Sequence, residues 1–263
     1  LFLFITFIYF LKFGSFVCFF FSLLYFLLVL GSWFYSLNEE CFSGLFTSLS
    51  FFLFRFGFVL FICSEVLFFF GFFWCFFSNC WVTSLYFGSW PPFDFDFLVV
   101  NMFGYPLLNT ILLLSSGLSL TVVHYFVLTG DYSYVLSKVP VHVSLKERYS
   151  YLVDNTEFSF VIYGYLVTVF FGFLFVFFQL YEYIISYFFI SSTVYGSIFF
   201  VLTGFHGLHV FVGLIMLLVS FLRYFHVCYS SVDHVGFECA VWYWHFVDVV
   251  WLFLYVFVYW YGS

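Results

Sequence analysis

The sequence predicts an all-α fold, a polytopic transmembrane helix bundle of six complete helices preceded by a short remnant of another. The first observation is compositional: 66% of residues are hydrophobic and 7% charged, with mean hydropathy +1.16. The second is that apolar runs long enough to cross a bilayer, about 20 residues each, recur along the chain. The third is that polar and helix-breaking residues fall between those runs.

Residues 1–11 are apolar but too short to span. They end at Lys12-Phe13-Gly14, a turn, and read as the tail of a further helix cut short or absent upstream. The complete helices are expected over 14–36, 53–79, 106–128, 158–184, 191–222 and 236–260. Gly88-Ser89-Trp90-Pro91-Pro92 breaks the chain after the second of these, and Pro106 suits the first turn of the next. The connection 129–157 is the most polar stretch and leaves room for a short hairpin. In domain terms, residues 1–36 form an N-terminal helical part, 37–55 a loop, and 56–263 a five-helix bundle.

Charge supplies an orientation. The basic residues are Lys12, Arg55, Lys138, Lys146, Arg148 and Arg223, and all but Lys12 fall on the alternate connections 37–55, 129–157 and 223–235. Those connections are expected on the inner side, with the C-terminus opposite. Six Lys and Arg against a net charge of −7 are too few to track nucleic-acid phosphate. The seven Cys form no CxxC pair and read as inert thiols.

Three groups of residues could carry chemistry. Glu65 is the sole charge between Phe56 and Phe77. A carboxyl in lipid is costly, so by default it marks a functional site, as a proton relay or a polar anchor for a lipid headgroup. The plainer reading is a neutral Glu hydrogen-bonded to a neighbouring helix. On the last helix, His234, Glu238, His245 and Asp248 share one face at helical spacing. This stripe should face protein and set helix register by hydrogen bonding, the sharper alternative being a metal or proton site. The third group is Gly204-Phe205-His206-Gly207-Leu208-His209, whose small residues suggest a close helix contact. With His245, its two imidazoles could ligate a b-type haem, and Glu65 with Asp248 could serve a transporter. His124 and His226 lie near helix ends, where snorkelling to the interface explains them. Trp33, Trp90 and Trp260 fit an aromatic belt.

Several stretches resemble one family closely. Ser64-Glu65-Val66 within GFVLFICSEVLFFFGFFW, SWPP (89–92), PLLNT (106–110), YGSIFFVLTGFHGLHVFVG (195–213) and GFECAVWYWHFVDVVWLFLYVFVYWYGS (236–263) look like cytochrome c oxidase subunit III. The wealth of Phe, Tyr and Cys suits a U-rich gene, as in some protist mitochondria.

The resemblance implies a seven-helix bundle in the mitochondrial inner membrane. Its first two helices lean away from the other five around a phospholipid-filled cleft. It also implies a non-redox subunit with no metal or cofactor of its own, packed against subunit I and other complex IV subunits that hold the haem and copper. On that reading Glu65 is the buried carboxyl of the lipid cleft. Trp33, Glu39, His209 and Arg223 are lipid-contact candidates, and His234, Glu238, His245 and Asp248 are structural.

Overall fold

A computed structural model describes residues 2–14, 16–42, 47–87, 90, 100–129, 156–225 and 234–262. Among the described residues the regular structure is entirely helical. The helices are α1 (Phe2–Phe13), α2 (Phe16–Phe42), α3 (Ser48–Phe87), α4 (Tyr105–Thr129), α5 (Thr156–Ile185), α6 (Val194–Phe225) and α7 (Val235–Leu254), which runs into a π-helical end over Tyr255–Trp260. Six of them, α2 to α7, are long and apolar enough to cross a membrane, and α1 has only 12 residues.

Local chemistry sets the ends. α1 stops where Gly14 takes a left-handed φ of 68° and its N–H closes on the Phe10 carbonyl at 2.8 Å. Only glycine adopts that conformation without steric penalty. Thr47 Oγ1 accepts the Ser50 N–H before α3, and Thr193 Oγ1 accepts the Gly196 N–H before α6, so each satisfies an otherwise unpaired first-turn donor. Pro106 sits in the first turn of α4, where no intrahelical donor is lost.

The helices reach beyond the expected runs. α2 continues through Glu39 and Glu40 to Phe42 and α3 begins at Ser48, so most of the loop expected over 37–55 is helical, including Arg55. At 1.5 Å per residue α3 is about 60 Å long, roughly twice a bilayer's hydrocarbon thickness. The polar stretch 131–155 lies outside the described residues.

The chain divides into two units, Leu1–Phe56 and Gly57–Ser263. In the first, α1 and α2 form a hairpin. Thr6 Oγ1 and Ser22 Oγ meet at 2.6 Å, and Phe10 stacks on Phe19 at 5.7 Å. In the second, α7 is central and is the most deeply buried of the spans. Trp244 and Trp251 are its largest buried side chains. They tie α7 to α4, because Trp244 Nε1 donates to Ser116 Oγ at 3.0 Å and Trp251 Nε1 donates to Thr110 Oγ1 at 3.3 Å. Glycines permit the closest approaches. A Cβ on Gly164 of α5 would run into Val123 Cγ2 of α4, and one on Gly172 would lie 2.6 Å from Leu214 Cδ2 and 2.8 Å from Trp244 Cη2. α3 reaches α7 through aromatic rings, Phe61 on Tyr243 and Phe77 on Phe257 among them.

Candidate functional site: a carboxyl–imidazole pair

Glu65 lies about halfway along α3, and His209 halfway along α6. Glu65 Oε2 is 3.0 Å from His209 Nε2, with 22% and 14% of the two side chains exposed. The contact joins residues 144 apart. Aromatic rings wall it in: the imidazole meets Phe69 edge-on at 4.9 Å and stacks with Tyr243 at 6.3 Å. The residues beside it, Val66, Leu67, Phe205 and Leu208, face outward from the bundle.

The second ring nitrogen is bonded as well. His209 Nδ1 lies 2.7 Å from the Phe205 carbonyl. A carbonyl only accepts, so Nδ1 carries a hydrogen and donates it. Nε2 faces Glu65 Oε2, so the contact ties α6 to α3 at the apolar rim of the bundle.

His206 does not join it. Its ring is fully buried, with Nε2 donating to the Val247 carbonyl at 3.1 Å, and it packs against Phe175 and Trp251. The two imidazoles therefore hydrogen-bond to different partners, His206 to α7 and His209 to Glu65 of α3, although both rings also pack on α7. Among the described residues Gly204 and Gly207 bring no helix close, since a Cβ at either would meet nothing within 4 Å. That corrects the close contact expected there.

Three residues of the polar stripe on α7, His234, Glu238 and Asp248, are covered by protein, while His245 keeps 40% of its side chain exposed. Asp248 packs where a Cβ on Gly117 of α4 would collide with its Oδ2. His245 Nδ1 is 4.0 Å from Asp248 Oδ2, and its Nε2 is 3.5 Å from Thr121 Oγ1 of α4. His234 and Glu238 lie 3.2 Å apart at the start of α7. His124 completes the seam: it points inward, its ring edge-on to Phe237 at 5.5 Å and its Nε2 buried. That overturns the snorkelling expected for His124; His226 falls outside the described residues. Trp90 is likewise more than a belt residue, since it packs on Phe76 and Tyr195.

The remaining lipid-contact candidates are dispersed. Trp33 is exposed on α2 beside Phe34, and Glu39 lies one turn beyond Tyr35, whose hydroxyl it accepts. Both belong to the first unit. Arg223 occupies the last turn of α6 in the second.

Sequence reasoning missed two things. It did not pair Glu65 with His209, because no local pattern links residues on separate helices. It also assigned nothing to Asn109, Gln179 and Glu182, which the structure buries together with Tyr259.

The fold and this pair define a class: a polytopic helical membrane protein with an acid–imidazole contact between two spans. Comparison with known proteins narrows the class to a family. The sequence profile of cytochrome c oxidase subunit III matches residues 1–160 and 147–263. The chain is 45% identical over 210 residues to cytochrome c oxidase subunit 3 of Pisaster ochraceus, covering 80% of this chain and 70% of that one. It is 42% identical over 227 residues to that of Locusta migratoria, 86% and 76% of the two chains. With that of Paracentrotus lividus the identity is 40% over 252 residues, 95% and 86% of the chains. The chain belongs to the cytochrome c oxidase subunit III family, a component of the respiratory oxidase.

Proposed function

We propose that this chain is a non-redox core subunit of complex IV in the mitochondrial inner membrane. It supports electron transfer from cytochrome c to oxygen, coupled to proton pumping, while haem and copper reside in partner subunits. It acts indirectly, by stabilising subunit I and by holding phospholipid against the bundle. The basic connections face the matrix and the C-terminus faces the intermembrane space.

The observation that carries this reading is the Glu65–His209 contact. A partly exposed polar pair on an otherwise apolar rim offers one hydrogen-bonding anchor to whatever covers that rim. In a membrane that cover is lipid or a partner helix. Trp33, Glu39 and Arg223 are proposed as further lipid contacts, since an Arg at a helix end suits headgroup phosphate. The seam of His234, Glu238, His245 and Asp248 holds α7 in register on α4.

Two measurements test the proposal. Native electrophoresis should find the chain in the band that oxidises cytochrome c; migration elsewhere refutes the assembly. In that complex, Glu65→Gln should leave haem spectra intact while lowering retained phospholipid or shortening the turnover lifetime. If both stay unchanged, neither role stands.

A further inference from the structure

The seam between α4 and α7 carries polar groups at the middle of the membrane. Asp248 is the fourteenth of 26 residues in the span Val235–Trp260, and Gly117 the thirteenth of 24 in Tyr105–Leu128. At 1.5 Å per residue both lie about 16–20 Å from either end of their spans, beyond the reach of an Asp side chain toward headgroups or water. Asp248 is 6% exposed, and its Oδ1 has no hydrogen-bond partner among the described residues. Its Oδ2 faces His245 Nδ1 at 4.0 Å, too far for a hydrogen bond. Gly117 makes room for both groups, since a Cβ there would collide with Oδ2 and lie 3.6 Å from Nδ1.

The seam opens outward. Thr121 is exposed, and its hydroxyl already donates to the Gly117 carbonyl at 2.8 Å, so it has no hydrogen for Asp248. His245 Nε2 stands 3.5 Å from the same hydroxyl. The flanks repeat with one period. On α4 the exposed residues Leu114, Leu118, Thr121 and Tyr125 follow steps of four, three and four. On α7 His245, Val249, Leu252 and Val256 follow the same steps, with Val249 and Val256 exposed and the other two partly so. Steps of four and three are the spacing that seats the knobs of a neighbouring helix.

We propose that this seam is a docking groove for one transmembrane helix of another oxidase subunit, bearing a hydroxyl or carboxamide side chain aimed at Asp248 and His245. An acyl chain offers no hydrogen bond at this depth, and a helix backbone has spent its own, so the partner is a side chain. A hydroxyl or carboxamide both donates and accepts, so it bonds Asp248 whether that carboxyl is neutral or charged. The apolar flanks supply the close packing on which helix association in lipid depends. The inference rests on the assembly proposed above and is independent of the Glu65–His209 pair.

An electron-microscopy map of the native oxidase tests it. A helix of another subunit should lie over Leu118 and Val249, with a side-chain oxygen or nitrogen about 2.7–3.2 Å from the Asp248 carboxyl. An acyl chain in the groove overturns the proposal, as does a second copy of this chain or another helix of its own. So does a partner helix that presents only apolar atoms to Asp248. On native gels, Asp248→Leu should lower several-fold the amount of that subunit migrating with this chain, and Asp248→Asn should retain it. Val249→Trp, on the exposed rim, should block the groove with the same loss while leaving this chain's core untouched. Full retention in both the Leu and Trp variants would overturn the docking. Absence of the chain from the band that oxidises cytochrome c would instead sink the assembly itself, and the groove's oxidase partner with it.

Discussion

Removing His209 tests the central contact. In His209→Leu the Glu65 carboxyl loses its partner at 3.0 Å while roughly three-quarters of its side chain stays covered. Polar pairs between membrane helices couple by about 0.6 kcal/mol on average and reach about 1.7. Acid–imidazole contacts are the kind that can be charge-assisted, and charge-assisted bonds are roughly twice as strong as neutral ones. The coupling should therefore lie in the upper part of that range, about 1–1.7 kcal/mol, or a 5- to 20-fold change in the unfolding equilibrium. The assay is a double-mutant cycle of Glu65→Leu and His209→Leu, with pulse proteolysis in SDS–bicelle mixtures read on this chain's band. Glu65→Gln adds a finer test: its amide N–H can still donate to the bare Nε2, so about half the coupling should survive. A coupling under about 0.3 kcal/mol would refute the pairing. A Gln variant as damaging as the Leu variant would refute the bond from that amide to Nε2.

Three other outcomes are expected. Gly172→Ala should destabilise the chain by about 1–3 kcal/mol, since its Cβ meets Leu214 and Trp244 inside contact distance; Gly207→Ala, with open space around it, should stay within about 0.5 kcal/mol in the same proteolysis assay. Trp244→Phe should cost about 0.5–1.5 kcal/mol for the lost bond to Ser116, and pairing it with Ser116→Ala should recover part of that loss. A cysteine at the exposed Tyr187 and another within 131–155 should label from opposite faces of mitoplasts, and labelling from one face would overturn the proposed orientation.

The number and type of helices follow from the sequence because lipid makes the apolar run and the spanning helix nearly the same thing. The Glu65 and α7 carboxyls stood out for the same reason: charges are rare in such runs. The covered position of His234, Glu238 and Asp248 on α7 was legible from their period, but the exposure of His245 was not. Helix ends were less so, since Phe-rich α2 and α3 continue beyond the expected boundaries and apolar residues carry no stop signal. The π-helical end of α7 was equally hidden, because the run 236–260 reads as one uninterrupted helix.

By itself, then, the sequence determined that the chain is a helical membrane protein, where its spans lie and which family it resembles. Tertiary structure alone decided which polar groups meet. Glu65 and His209 are 144 residues apart, His206 and His209 are three apart yet hydrogen-bond to different helices, and Gly117 matters only because Asp248 packs over it. The physical reason is range. Hydropathy and helical period act within a segment, whereas a hydrogen bond across about 3 Å depends on helix rotation and separation, which the packing of rings such as Trp244 and Trp251 sets.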